Sequence, residues 1–170
     1  MTYNIHPIFV HFPVALLFVY SIIKILPLKK WIPSVAWRDV ERVFLLVGVL
    51  GAFVALQTGE IAEHLVRANR DLVEMHSTFA NISTWIYGIL LAGEIFDVLN
   101  TYAVPKSNSE KLKYYFSSVK GILTKFAIPK TFASLGFIAI SATGMLGGVI
   151  AYGVSADPLA PILLKILGIN

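Results

Sequence analysis

Four stretches of the chain stay apolar long enough to cross a bilayer: residues 8–26, 43–62, 78–99 and 132–154. At a rise of about 1.5 Å per residue, each covers roughly 30 Å of hydrocarbon. The pattern predicts four spanning helices. Residues 109–126 repeat differently. There Leu112, Tyr115, Phe116, Val119, Leu123 and Phe126 recur at helical spacing, while Lys111, Lys113, Lys120 and Lys125 mark the polar side. This predicts a basic amphipathic helix lying on the membrane surface and drawn to anionic lipid. The run from Pro158 to Leu167 is apolar but too short to span, and Pro161 lies near its start, so it is expected at the interface or against a neighbour. The expected fold is all-α, a single domain over residues 1–170. It is a four-helix transmembrane bundle with a cytoplasmic amphipathic surface helix between spans 3 and 4.

Small residues mark two of the spans. The fourth contains Ala133, Gly136, Ala139, Ser141, Ala142, Gly144, Gly147, Gly148, Ala151 and Gly153, including a Gly144-x-x-x-Gly148 pair that permits close backbone approach. Packing within the bundle is the expected use. The second carries Gly48, Ala52, Ala55 and Gly59 one turn apart, leaving room for a flat macrocycle or for the fourth span.

Composition changes the class from soluble to membrane. The chain is 56% hydrophobic and only 14% charged, with a mean hydropathy of +0.73, outside the range of an ordinary soluble domain. The first span has no basic segment ahead of it, and Lys24 and Pro27 close it where a small-residue cleavage site would stand, so it is expected to be retained. Cysteine is absent. Disulfides, thiolate-held iron–sulfur clusters and covalently attached c-type haem are therefore excluded, and any metal must be held by nitrogen and oxygen.

Charge sets the expected orientation. The first connection carries Lys24, Lys29, Lys30, Arg38 and Arg42, and the third carries Lys106, Lys111, Lys113, Lys120, Lys125 and Lys130, but the second has only Arg67 and Arg70. By the positive-inside rule the first and third connections are cytoplasmic, which puts both termini and the second connection outside a multi-pass cell-membrane protein. The net charge of +4 follows from these loop lysines, and nothing points to nucleic acid.

Candidate chemistry concentrates on that outer side. All four histidines, His6, His11, His64 and His76, fall at helix ends that this topology brings to one leaflet, and histidine there is a typical ligand of haem iron or another metal. Gln57, Glu60, His64 and Arg67 form one stripe of the second span, and His76, Ala80, Ser83 and Tyr87 one of the third. Pro7 suits the first helical position, which predicts His6 at the N-cap or just outside the helix. The five-residue step from His6 to His11 turns about 140° and rises about 7.5 Å, so the two are expected to play different roles.

The segment His6-Pro7-Ile8-Phe9-Val10-His11-Phe12-Pro13-Val14-Ala15, with Thr58-Gly59-Glu60, His64 and His76, resembles a family of small four-helix membrane proteins catalogued as domain of unknown function two-two-three-one. Some members are joined to cytochrome-like domains, which implies redox company for this chain. The family carries no settled activity.

Three readings follow. In the first, the protein is a b-type cytochrome-like subunit carrying electrons in a respiratory or quinone-linked complex, more an accessory subunit than an independent enzyme. It holds haem b through His11 and His76, each a turn or so inside its span, with His6 and His64 as a second pair or as support. Arg67 and Arg70 would bind the propionates. In the second, His6, His11, Glu60, His64 and His76 hold zinc, copper or iron, with Glu63, Asp71 and Glu74 nearby. The third is a cofactor-free assembly subunit of a membrane complex. Other membrane subunits, lipid and quinone are the partners considered. Glu94 and Asp97, near the cytoplasmic end of the third span, are expected to pair with loop lysines rather than to form a proton or quinone site.

Overall fold

The computed structural model describes residues 5–63, 68–102, 104, 109–123 and 127–169, and no strand occurs among them. The helices are α1 (His6–Ile25), α2 (Leu28–Trp31), α3 (Trp37–Glu63), α4 (Arg70–Tyr102), α5 (Glu110–Leu123), α6 (Ala127–Tyr152) and α7 (Ala160–Leu167), with a 3-10 turn at Val154–Ala156. Local chemistry accounts for most boundaries. Pro7 sits in the first turn of α1, where a missing N–H costs nothing, and Leu26 turns extended ahead of Pro27. Asn69 Oδ1 accepts the Asp71 N–H at 2.9 Å and so caps α4. Gly153, at φ +85°, supplies the left-handed residue that stops α6.

Three of these helices are long and apolar enough to cross a membrane: α1, α4 and residues Ile128–Tyr152 of α6. The expected second span corresponds to α3, which carries Arg38, Asp39, Glu41 and Arg42 at its start and Glu60 and Glu63 at its end. The third span begins earlier than expected, because nothing after the Asn69 cap interrupts the helix. At 33 residues, α4 is about 50 Å long. The amphipathic helix forms at Glu110–Leu123 and folds back on α4, with the Phe96 and Phe116 rings 5.3 Å apart. The remainder of its expected range, residues 124–126, lies outside the described residues.

The four long helices close into a ring in the order α1, α3, α4, α6. Glycines show the antiparallel registers: a Cβ on Gly48, Gly51 or Gly59 of α3 would meet Leu17, Pro13 or His6 of α1, and one on Gly136 or Gly147 of α6 would meet Tyr87 or His76 of α4. The small stripe of α3 thus admits α1, and not the fourth span, one of the two occupants the sequence allowed. On α6, Gly144 faces Val14 of α1 at 3.7 Å while Gly148 has nothing near it, so this pair makes only a loose intramolecular contact.

The diagonal helices α1 and α4 run in the same direction, with contacts 66 to 70 positions apart in sequence. Ser21 meets Tyr87 and Lys24 meets Glu94. A core of Leu17, Tyr20, Leu45, Val49, Ala52, Tyr87, Leu90, Ala133 and Ile140 fills the centre. A second cluster, Leu72, Leu146, Val149 and Ala160, brings Leu163, Leu164 and Leu167 of α7 against α4 and α6. The apolar C-terminal run is therefore packed on its own bundle.

Close packing at Gly136 is directly testable. A Cβ there would stand 2.8 Å from Tyr87 Cζ, and the ring cannot swing away without breaking its bond to Ser21. Gly136→Ala is expected to lower stability by about 1–3 kcal/mol through overpacking. At Gly88 and Gly93 of α4 an added Cβ meets nothing. Gly93→Ala should instead raise stability by up to about 1 kcal/mol through helix propensity. Thermal unfolding midpoints in detergent that move the same way for both would refute this.

Candidate functional site

One end of the ring is clasped by charge. Lys24 of α1 reaches Glu41 at 2.8 Å and Glu94 at 3.5 Å, Arg42 of α3 reaches Glu94 at 3.1 Å and Asp97 at 2.9 Å, and Arg38 also pairs with Asp97. Three cations and three carboxylates from α1, α3 and α4 thus balance. Lys130 of α6 joins that end by donating to the Ile25 carbonyl at 3.0 Å. Glu94 and Asp97 were expected to pair with loop lysines. Their main partners are instead arginines of α3, which lie in the helix rather than in the loop.

The other end holds the histidines. His6 is the first residue of α1, with Ile5 at the cap position, so it lies inside the helix and not at its N-cap as expected. Its Nδ1 is 3.0 Å from Thr58 Oγ1 of α3. Because Thr58 already donates its hydroxyl proton to the Ala55 carbonyl at 3.0 Å, Thr58 accepts here and His6 Nδ1 carries the proton. The imidazole also hydrogen-bonds the Ala55 backbone.

Across the bundle, His76 Nδ1 lies 3.0 Å from the Thr143 carbonyl of α6. A carbonyl can only accept, so this Nδ1 is likewise protonated. Both rings are seated against helix backbone: a Cβ on Gly59 would be 3.2 Å from His6 Cε1, and one on Gly147 would be 3.1 Å from His76 Cε1. The α1–α4 offset that pairs Lys24 with Glu94 brings His6 level with His76, and the two imidazoles lie within electrostatic range of each other. When neutral, an imidazole protonated at Nδ1 presents Nε2 as its lone-pair donor, the arrangement that second-shell carbonyls and hydroxyls impose on metal-ligating histidines.

His11 is not part of this pair. Its side chain is exposed, and its Nδ1 turns back to the Pro7 carbonyl of its own helix. The turn of about 140° between positions five apart explains the split, since one ring faces in and the other out. The sequence favoured His11 as the partner of His76 on depth; with α1 starting at His6, the level partner is His6. Glu60, Glu63, Arg70, Asp71 and Glu74 are exposed. His64 and Arg67 lie outside the described residues. Among the described residues, no three His, Asp or Glu side chains gather as a metal site.

Two supporting residues were not singled out from sequence. Thr58 stood in the quoted motif without a role, and its acceptor function depends on the helix turn back to Ala55. Thr143 offers only its backbone, which no residue type signals.

Between the two ends the core is polar in places. Tyr87 donates to Ser21 Oγ at 2.7 Å, since the Ser21 proton goes to the Leu17 carbonyl. The Tyr20 ring meets Tyr87 edge-on at 6.1 Å. Tyr20 is 1% exposed, and its hydroxyl has no hydrogen-bond partner among the described residues. A buried hydroxyl left so costs about 1–3 kcal/mol. Compared with family models, curated proteins and solved structures, the chain gives no match.

Proposed function

We propose that this protein is a membrane-embedded b-type haem-binding subunit that carries electrons, with His6 and His76 as the axial ligands. The observation that carries the reading is the pair of imidazoles on diagonal helices, within electrostatic range of each other, each with Nδ1 committed to a hydrogen-bond acceptor on a neighbouring helix, α3 for His6 and α6 for His76. Two imidazoles complete the coordination of an iron whose other four ligands come from a porphyrin, whereas zinc asks for three or four ligands from the protein. A macrocycle between the rings needs the histidine ends of α1 and α4 to stand further apart than their other ends, where the ion pairs clasp them. Arg70, exposed at the start of α4, is available to a propionate. The resemblance of the His6–Ala15 segment to the small four-helix membrane family belongs to the same proposal, as does membership of a larger assembly with other membrane subunits and quinone as a redox partner.

In this reading α3 is the fourth span. Its outer face bears Val43, Leu46, Val47, Leu50, Phe53 and Val54, all exposed, a contiguous apolar surface that water would not tolerate and lipid would cover. The bundle is multi-pass, the histidine end faces outward, and α5 lies at the cytoplasmic surface among anionic headgroups. The absence of native cysteine makes sidedness simple to measure. Asn69→Cys should react with an impermeant thiol reagent on intact cells, and Ser118→Cys only after permeabilisation. The opposite pattern overturns the orientation.

The experiment that tests the cofactor is a reduced-minus-oxidised optical spectrum of the protein purified from a haem-replete host. Sharp α and Soret bands of a low-spin six-coordinate haem are expected; a featureless difference spectrum removes the proposal.

A further inference from the structure

We propose that the bundle is two rigid helical hairpins, α1 with α3 and α4 with α6, hinged at the ion-pair end, and that they part along the α1–α6 seam to admit a planar metal macrocycle between His6 and His76. The choice of ligand rests on the haem reading. The hinge stands on contacts alone and is tested apart from it.

The two hairpins repeat one arrangement. In the first, His6 of α1 lies over Gly59 of α3 and Leu17 over Gly48. In the second, His76 and Tyr87 of α4, each 70 positions later, lie over Gly147 and Gly136 of α6, each 88 positions beyond its counterpart. The backbone acceptors keep the same register, since His6 bonds at Ala55 and His76 at the Thr143 carbonyl. A Cβ on any of the four glycines would stand between 2.6 and 3.2 Å from the side chain above it. Contacts that close make each hairpin move as one body.

What ties one hairpin to the other lies toward the clasp. Lys24 to Glu94, Arg42 and Arg38 to Asp97, Ser21 to Tyr87 and Lys130 to the Ile25 carbonyl all cross between them there. The core that both share, with Leu17 and Tyr20 against Leu90 and Ala133, stands in the same half. At the histidine end the bonds close each hairpin on itself, His6 to Thr58 and His76 to Thr143, and the cluster of Leu72, Leu146 and Val149 belongs to the second hairpin. Parting the hairpins at that end breaks none of these.

The two seams between the hairpins differ. Along α3 and α4 the Phe53 and Trp85 rings meet edge-on at 6.3 Å. Along α1 and α6 the facing residues are small: a Cβ on Gly144 would reach Val14 only at 3.7 Å, and Gly148 has nothing near it. A groove of about 390 Å³ runs there from Phe18 past Val14, Gly144 and Gly148 to Tyr152 and Asp157. Phe18, 4.7 Å from the Phe137 ring, ends it toward the clasp. Widening this seam exposes the space between His6, carried by one hairpin, and His76, carried by the other, and a flat ring system enters it edge-first without displacing a large side chain.

With no native cysteine, an engineered disulfide can lock one chosen seam of the full chain. Val14→Cys with Gly144→Cys bridges the hairpins across the groove. Pro13→Cys with Gly51→Cys bridges α1 to α3 within one hairpin, where a Cβ on Gly51 would stand 3.1 Å from Pro13 Cβ. Purified free of haem and titrated with haemin, the first variant is expected to lose uptake when oxidised and regain it on reduction, so the reduced state controls for folding. The second should take up haemin in both states. Spin labels report the hinge without haem: Ile8→Cys with Thr78→Cys near the histidines, and Val19→Cys with Ile89→Cys nearer the clasp, all four positions being exposed. The pair near the histidines is expected to give the broader distance distribution in the haem-free protein and to narrow when haemin binds. Equal uptake by the oxidised and reduced cross-groove variant overturns the entry route, and equal widths for the two label pairs overturn the hinge. No uptake by the wild-type protein, with the outer pair still broader, overturns the haem reading and the ligand with it, and upholds the hinge.

Discussion

Replacing His76 or His6 by alanine is expected to abolish the low-spin haem spectrum, whereas His11→Ala leaves it intact. Loss of one axial imidazole leaves a five-coordinate or water-ligated iron, with the α band broadened and the Soret band shifted. The neighbours should act through the rings they hold. Thr58→Val removes the acceptor of the His6 Nδ1 proton and is expected to weaken haem retention by about 10- to 100-fold, the usual loss for a second-shell partner. The assignment has a sharp competitor, since the HPxxVHFPxA segment offers His6 and His11 equally. A spectrum lost in His11→Ala but kept in His6→Ala would exchange the two and show that α1 turns about its axis when haem binds. Spectra unchanged in both would remove α1 from the site.

The second large effect is at the opposite end. Asp97, 6% exposed, accepts from both Arg38 and Arg42, and its loss would strand two guanidiniums. Arg42 is three-quarters buried and carries most of the penalty, while Arg38, 54% exposed, is solvated and contributes little. Removing one partner of a buried pair costs about 3–5 kcal/mol, so Asp97→Ala is expected to lower stability by about 3 kcal/mol, or about 10 °C in melting midpoint for a chain of this size. Glu110→Ala, which deletes the exposed pair with Lys113, should cost less than about 1 kcal/mol. Equal effects of the two substitutions would mean that water reaches the Asp97 cluster and that it does not clasp α1, α3 and α4 together.

How much of this was legible beforehand differs between the two ends. That His6, His11 and His76 sit near one end of the bundle followed from where the apolar runs start and stop, because a helix carries its terminal residues wherever its length puts them. Which histidine faces inward did not follow. A helix that meets a core on one side and lipid on the other is apolar all round, so periodicity says little about its rotation. In α1 the rotation is set by contacts with α3, where Leu17, Pro13 and His6 fit over Gly48, Gly51 and Gly59. The small stripe was visible in the sequence, but its partner was not, since any of three helices could have filled it.

The sequence by itself determined the helical class, the order of the long helices, the amphipathic α5 and the nitrogen-and-oxygen limit on any metal site. These depend on local spacing and composition, which no distant residue can alter. Only the tertiary structure decided that His6 rather than His11 opposes His76, and that Asp97 belongs to Arg38 and Arg42. It alone left the buried Tyr20 hydroxyl without a hydrogen-bond partner among the described residues. Each of these joins residues more than fifty positions apart, or depends on their absence from one another, and is settled by how four helices rotate and slide to fit glycine against ring and cation against carboxylate.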